Sequence, residues 1–282
     1  MSDLAVATDR AVRRRRIRRT AALPMWPLTV MFGLLPLWWV LGAWYLIWPV
    51  FGLVLAVLML LRGTTAMPTG TACWLIFLGI VLISATRLDE PSSLLTFGLR
   101  FGHLFTAFVV GLYVYTVARQ GTSWHRIAGP LCVFWLSVVV LGWSGVLAPT
   151  LGMSSPVQML LPGGLGSERF IADITHLDTT EYNPHSSNPI YRPAAPYPYT
   201  NNWGTAYSFL VPFVLAYVTS CGRRPMRTVL LVSLPLSLVP AFYTLNRGMF
   251  IGLGAGVVYL LSREVVKGRI RLVVPVIGLL LL

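Results

Sequence analysis

Arg192 and Arg247 are the residues of this sequence whose side chains best suit chemistry on a ligand. Arg192 lies in the polar run Tyr-Arg-Pro-Ala-Ala-Pro-Tyr-Pro-Tyr-Thr-Asn-Asn-Trp-Gly, and Arg247 lies between two apolar segments in Leu-Asn-Arg-Gly-Met. A guanidinium is costly to hold near hydrocarbon, so an arginine at the edge of a membrane segment is a functional candidate. Its planar fork donates paired hydrogen bonds to phosphate oxygens. Two such groups on one side of a bilayer predict a diphosphate site.

Each arginine also has an ordinary interpretation. Arg247 directly precedes an apolar run that begins at Gly248, which indicates a helix N-terminus, where free N–H groups and the helix dipole favour an anion. The alternative is an interfacial arginine whose charged end extends to water. Arg192 can likewise be a solvated loop residue.

Arg100 and His103 are secondary candidates for lining the same cavity. They lie near the outer end of the fourth apolar segment, about one helical turn apart, and so share a face. Arg100 can instead form a structural ion pair with Asp89 or Glu90.

Asn201 and Asn202 directly precede Trp203 and Gly204, where an apolar helix is predicted to begin. Because asparagine is a favoured N-cap residue, we expect at least one of them to cap this helix. Asn202 is also a candidate for binding a sugar hydroxyl.

Other motifs argue against metal or nucleotide chemistry. His176 and His185 lie among acidic residues in one polar loop, but their spacing matches no strong metal-ligand pattern, so we predict no metal and no other cofactor. The run Gly-Leu-Gly-Ala-Gly from Gly252 to Gly256 lacks the preceding strand of a nucleotide-binding turn. Its small residues predict close helix packing instead.

The composition is that of a membrane protein. The 282 residues are 56% hydrophobic and only 11% charged, and the mean hydropathy is +0.71. The net charge of +13 comes from short basic clusters between apolar runs, which indicates membrane topology rather than nucleic-acid binding. The three cysteines show no disulfide framework.

We therefore predict an all-α, polytopic transmembrane helical bundle. The predicted organisation is a basic cytoplasmic tail (1–23), five transmembrane helices (24–147), a long extracytoplasmic loop that can contain short helices (148–203), and further transmembrane helices (204–282). Full spans are placed roughly at 24–42, 44–61, 70–86, 97–118, 127–147, 204–220, 228–245 and 248–262.

A ninth span begins near Leu272 but has too few residues to cross a bilayer, which predicts that the chain is the N-terminal part of a longer protein. At the other end, we expect a tight hairpin at Gly42 and Ala43 between the first two spans. An interfacial aromatic belt is predicted beside it, formed by Trp38, Trp39, Trp44, Tyr45 and Trp48.

The basic residues predict an orientation. With the N-terminus in the cytoplasm, strict alternation of eight spans puts 17 of the 22 basic residues inside, as the positive-inside rule requires. The five that remain outside are Arg87, Arg100, Arg169, Arg192 and Arg247.

The sequence resembles the superfamily of O-antigen ligases and O-antigen polymerases, bacterial membrane glycosyltransferases. The resemblance rests on the outer loop that contains Arg192 and ends in Pro-Tyr-Thr-Asn-Asn-Trp-Gly, on Tyr-Thr-Leu-Asn-Arg-Gly at the end of a later span, and on the order of spans. The family commonly has Ser-Arg-Gly at the second place, so Asn246 departs from the pattern while Arg247 and Gly248 match it.

The resemblance implies an inverting, metal-independent glycosyltransferase at the outer face of the bacterial plasma membrane. Its donor would be a polyprenyl-diphosphate-linked glycan, held at the diphosphate by Arg192 and Arg247, and its acceptor a glycan or glycolipid. A histidine in a later outer loop, beyond Leu282, would help activate the acceptor hydroxyl.

Two other functions stay open from the residues alone. A lipid-linked glycan transporter is one, since Pro235 and Pro240 can break the seventh span, and transporters use broken helices. The other is a non-catalytic scaffold of an envelope assembly that docks a partner on the long loop.

Overall fold

The computed structural model describes residues 22–63, 65–88, 91–162, 168–182, 189–220 and 225–268, and helices make up most of them. In chain order the helices are α1 (Trp26–Gly33), α2 (Leu35–Val40), α3 (Trp44–Arg62), α4 (Thr71–Ser84), α5 (Pro91–Arg119), α6 (Trp124–Leu147), α7 (Pro156–Leu160), α8 (Arg169–Thr175), α9 (Thr200–Ser220), α10 (Pro225–Tyr243) and α11 (Arg247–Val266). A 3₁₀ turn, Ala85–Arg87, extends α4.

Four of these helices are long and apolar enough to cross a membrane: Trp44–Arg62, Ser93–Arg119, Trp124–Leu147 and Pro225–Tyr243. The described part of the chain is therefore mainly helical, and four of its helices have the length and composition of membrane-spanning helices. All eight segments predicted as spans contain helix. The eight-span count itself stays a prediction, and the predicted ninth span lies outside the described residues, as do residues 1–21 of the tail.

Four short strands lie in the predicted outer loop: β1 (Gly152–Ser154), β2 (His176–Asp178), β3 (Thr180–Tyr182) and β4 (Tyr191–Pro193). They form two two-stranded sheets, β1 with β2 and β3 with β4. The sequence prediction of short helices there is met by α7 and α8, but the strands were not predicted.

The chain divides into two compact units, unit 1 with residues 1–137, 152–177 and 220–222, and unit 2 with residues 138–151, 178–219 and 223–282. In unit 1, α3 packs closely along α5 where both helices carry small residues. A Cβ added at Gly52 would overlap the side chain of Thr106, and one added at Gly102 would lie 2.9 Å from Pro49. Thr106 Oγ1 donates to the carbonyl oxygen of Trp48 at 3.1 Å, which ties the two helices together.

The first predicted span is interrupted. Helix α1 ends at Gly33 and α2 begins at Leu35, with Pro36 in its first turn, because proline supplies no N–H to continue the helix ladder. The predicted hairpin after it is present, since Gly42 has φ +73° and α3 begins two residues later. Ser155 and Thr175, from the segments before α7 and at the end of α8, contact this turn so closely that Gly42 has no room for a side chain.

The predicted aromatic belt is wrong at Trp44. Its ring is buried and packs against Trp48 at 5.1 Å and Phe134 at 5.7 Å, between centroids. Trp44 therefore belongs to the core of unit 1.

In unit 2, Trp203 is the central buried side chain. Its ring lies over Gly142, its Nε1–H donates to the carbonyl oxygen of Val138 at 3.2 Å, and it stacks on Tyr207. Tyr207 in turn shares a hydrogen bond of 3.0 Å with Ser237. These contacts join α6, α9 and α10 within the unit.

Two expectations about individual helices are not met. Helix α10 runs without interruption through Pro235 and Pro240. Gly252, Gly254 and Gly256 in α11 have open space where a side chain would stand, so no described residue packs closely on them.

Replacing Gly52 by alanine tests the α3–α5 contact. The new methyl group would displace Thr106 and its bond to Trp48, so we expect the variant to be less stable by about 1–3 kcal/mol, the usual cost of overpacking. Gly111→Ala on α5, where a Cβ meets open space, is the matched control and should not be destabilised. Thermal unfolding in detergent, followed by circular dichroism, distinguishes the two; equal melting temperatures would contradict the packing.

Candidate functional site

Arg192 is held on a β-ribbon by a carboxylate. Strands β3 and β4 pair antiparallel with Glu181 directly opposite Arg192, and Arg192 Nη2 lies 3.1 Å from Glu181 Oε1. The two side chains are 28% and 27% exposed, so the ion pair is partly shielded from water. Glu181 Oε1 bonds one guanidinium nitrogen of Arg192, and a guanidinium has five N–H donors in all.

The same carboxylate binds the start of α9. Glu181 Oε2 accepts the backbone N–H of Thr200 at 2.7 Å, one of the N–H groups that a helix N-terminus leaves unpaired. Thr200 Oγ1 donates to the carbonyl oxygens of Arg192 at 3.2 Å and Pro193 at 3.1 Å. The ribbon is therefore fixed to the first turn of α9 by both side-chain and backbone contacts.

This arrangement corrects the prediction that Asn201 or Asn202 caps the helix. Helix α9 begins at Thr200, so both asparagines lie inside its first turn, and Glu181 binds the terminal N–H in their place. Asn202 is half-buried there, and its predicted contact with a sugar stays a prediction.

Arg247 is the first residue of α11, as its position before an apolar run predicted. The N-cap is Asn246, whose Oδ1 accepts the N–H of Met249 at 3.1 Å. Leu245 before it has φ +50°, an unusual conformation for a side chain of this size, and turns the chain sharply between α10 and α11. The Arg247 side chain is exposed, and no described carboxylate pairs with it.

The turn that carries Arg247 contacts the first turn of α9. Asn246 Nδ2 donates to the carbonyl oxygen of Asn201 at 3.4 Å, and the Asn246 side chain lies against Gly204, which has no room for a Cβ. Arg192 and Arg247 are thus both anchored on one helical turn, Arg192 through Glu181 and Arg247 through Asn246.

Unit 2 has an open apolar groove of about 590 Å³, lined in part by residues that lie near Arg192 and Arg247 in the sequence. It is lined by Pro189, Ile190, Tyr191, Phe242, Tyr243 and Leu245. Tyr191 directly precedes Arg192, and its ring stacks on Tyr182 with centroids 4.5 Å apart. Successive residues of a strand point to opposite faces, so Tyr191 lines the groove while Arg192 lies with Glu181 on the other face of the ribbon.

Arg100 and His103 lie in unit 1, on α5. The Arg100 guanidinium stands over the ring of Phe170 at 5.0 Å, and its predicted alternative partners Asp89 and Glu90 are outside the described residues. His103 Nδ1 bonds the carbonyl oxygen of Leu99 at 2.7 Å, while its buried Nε2 has no hydrogen-bond partner among the described residues. The two residues share a face of α5 as predicted.

The loop histidines do not form a metal site in the described part of the chain. His176 Nδ1 lies 3.1 Å from Gln158 Oε1, and no group of three or more histidine, cysteine or acidic side chains is placed to hold a metal there. His185 lies outside the described residues.

We compared the sequence with family models, curated proteins and solved structures. The sequence matches no family model, no curated protein and no solved structure.

Sequence reasoning missed the roles of Glu181 and Asn246. The signal for Glu181 is the pair of short runs Thr-Glu-Tyr and Tyr-Arg-Pro, which place opposite charges and two tyrosines across from each other once the strands pair. The signal for Asn246 is its position before Arg-Gly at the start of an apolar run.

Glu181→Ala should destabilise the protein more than Arg192→Ala does. The first change leaves both the Arg192 guanidinium and the Thr200 N–H without their partner, whereas the second removes only the partly exposed ion pair. We expect losses of about 1–3 kcal/mol against at most about 1 kcal/mol in unfolding free energy.

Glu181→Gln keeps an acceptor for Thr200 but loses the charge, so its stability should fall between these two variants. Denaturant unfolding in detergent measures all three. An Arg192→Ala variant that loses as much stability as Glu181→Ala would contradict the bridging role.

Proposed function

We propose that this protein is an integral membrane glycosyltransferase, a ligase or polymerase, that transfers polyprenyl-diphosphate-linked glycans at the outer face of the bacterial plasma membrane. The observation that supports this most is the anchoring of Arg192 and Arg247 on the first turn of α9. An apolar groove in the same unit has the chemistry to hold the hydrocarbon part of such a donor. The eight-span topology, with the N-terminus in the cytoplasm and the loop at 148–203 outside, is part of the proposal.

The two arginines act on the leaving group in this mechanism. The acceptor hydroxyl oxygen forms a bond to the anomeric carbon and its proton passes to water or another base. At the same time the bond from that carbon to the diphosphate oxygen breaks, and the polyprenyl diphosphate leaves with the electron pair. Charge grows on the diphosphate as this bond breaks, and preformed cationic donors stabilise it. Glu181 holds Arg192 in position from the side opposite the ligand.

The sequence of the α10–α11 turn is compatible with this family. The family commonly has serine where this chain has Asn246. Asn246 is the N-cap of α11, and asparagine and serine are about equally good N-caps. The departure from the family pattern therefore retains the feature that positions Arg247.

Among the other functions, a transporter has less support. The two prolines that favoured a broken helix lie within the continuous helix α10. The interruption that the structure does show, between α1 and α2, lies in a segment without charged residues, whereas transporter sites on broken helices bind ions and polar substrates.

Arg247→Ala should lower the release of polyprenyl diphosphate from a labelled donor glycan at least about 100-fold, the usual effect of removing one preformed donor to a developing charge. Arg247→Lys should also be impaired, because lysine lacks the planar fork. Arg263→Ala, which removes an exposed arginine at the other end of the same helix, is the matched control and should retain activity. The assay uses membranes that contain equal amounts of each variant. Full activity of Arg247→Ala would contradict the proposal.

The outer placement is tested by thiol labelling in intact cells. In a chain without its own cysteines, Tyr199→Cys at an exposed position should react with an impermeant maleimide added outside. Arg119→Cys, exposed at the end of α5, should react only after the membrane is opened. The reverse pattern would refute the proposed orientation.

A further inference from the structure

One end of unit 1 collects three arginines. Helix α3 ends at Arg62, α5 ends at Arg119, and Arg126 lies in the first turn of α6. Gly121, with φ +86°, makes the tight turn that joins α5 to α6. We call Arg62, Arg119 and Arg126 the basic end of unit 1.

Residues 22–24 bridge the helices at this end. The Arg62 side chain donates to the carbonyl oxygen of Ala22, and the Leu23 N–H donates to Gln120 Oε1 at 2.9 Å. Tyr113 Oη donates to the carbonyl oxygen of Pro24 at 2.6 Å. These bonds hold the ends of α3 and α5 together, so the basic end is a fixed surface, and Leu23, predicted to be in the tail, is part of unit 1.

The charges of Arg119 and Arg126 are not paired with carboxylates among the described residues. Between residues 22 and 137 the only acids in the sequence are Asp89 and Glu90. The described acids in the rest of unit 1, Glu168 and Asp173, lie at α8, whose end contacts the Gly42 turn before α3, whereas Arg62 lies at the other end of α3. Arg119 and Arg126 are exposed, and no described carboxylate pairs with either. Arg126 also lies in the first turn of a helix, where the dipole disfavours a cation, so a bound anion would relieve this repulsion.

Exposed apolar side chains neighbour two of these arginines in the sequence. Leu60 and Leu61, just before Arg62, are 79% and 78% exposed, and Trp124 beside Arg126 is 39% exposed. Exposed leucines on an apolar helix face lipid, and tryptophan favours the headgroup level. Cations directly at the end of a lipid-facing surface suit an anion that itself carries acyl chains.

We propose that the basic end of unit 1 binds the phosphodiester headgroup of an anionic phospholipid, with Arg119 and Arg126 contacting the phosphate and Leu60, Leu61 and Trp124 the acyl chains. This site is separate from Arg192 and Arg247 and does not depend on the proposed reaction. Seven further arginines, between positions 10 and 19, precede Ala22 in the sequence.

The test uses the full chain purified in detergent, with phosphatidylglycerol or phosphatidylcholine added, and native mass spectrometry to count bound lipid. The wild-type protein should retain phosphatidylglycerol in preference to phosphatidylcholine. Arg119→Gln/Arg126→Gln should lower this preference about 30-fold, from the usual contribution of each arginine near an anionic surface. Arg87→Gln, an exposed arginine at the end of α4 in the same unit, is the control and should not change it.

Three results would overturn the proposal: equal retention of the two lipids by the wild-type protein, an equal loss of preference in the Arg87 control, or displacement of the lipid by millimolar inorganic phosphate. If the double variant does not fold, the lipid preference of the wild-type protein is measured at increasing salt concentration instead. There the preference should weaken as the charges are screened, and a salt-independent preference would count against the site.

Discussion

The carboxylate of Glu181 is the contact on which the geometry of unit 2 depends. One oxygen bonds Arg192 across a two-stranded ribbon, and the other accepts a backbone N–H at the start of α9. A charged acceptor at a helix N-terminus is stabilised by the dipole as well as by the hydrogen bond. The result is that a loop arginine has a fixed position relative to a helix.

The second anchor works by close backbone approach. Gly204 leaves space for Asn246, which caps α11 and reaches the carbonyl oxygen of Asn201. The β3–β4 ribbon thus contacts the first turn of α9 through the carboxylate of Glu181. The α10–α11 turn contacts the same turn through the side-chain amide of Asn246. Two arginines far apart in sequence share one support, and the proposed grip on a diphosphate follows from that shared support.

The helical architecture could be predicted from the sequence because apolar runs of spanning length leave the backbone few alternatives to helix. The start of α11 at Arg247 followed from its position directly before an apolar run. The interruption at Pro36 lay within an apolar run, where hydropathy alone does not show a break. Trp44 was assigned to an interface because hydropathy does not distinguish a lipid-facing ring from one packed against Phe134.

The candidate site was only half predictable. Arg192 and Arg247 stand out by charge, but the partner of Arg192 depends on the pairing of two three-residue strands, which are too short to show a period. Asn201 and Asn202 are of the residue type that favours an N-cap. The N–H of Thr200 at the helix start is bound instead by the carboxylate of Glu181, 19 residues earlier in the chain. Long-range contacts of this kind override local preference.

Ligand binding to the purified full chain tests the proposed role of Arg192 and Arg247 in holding one diphosphate. Affinity for a short-chain prenyl diphosphate should exceed that for the matching monophosphate. Arg192→Gln and Arg247→Gln should each weaken diphosphate binding about tenfold or more, as expected for a lost charge-assisted pair of hydrogen bonds. Unchanged diphosphate affinity in both variants would contradict the account.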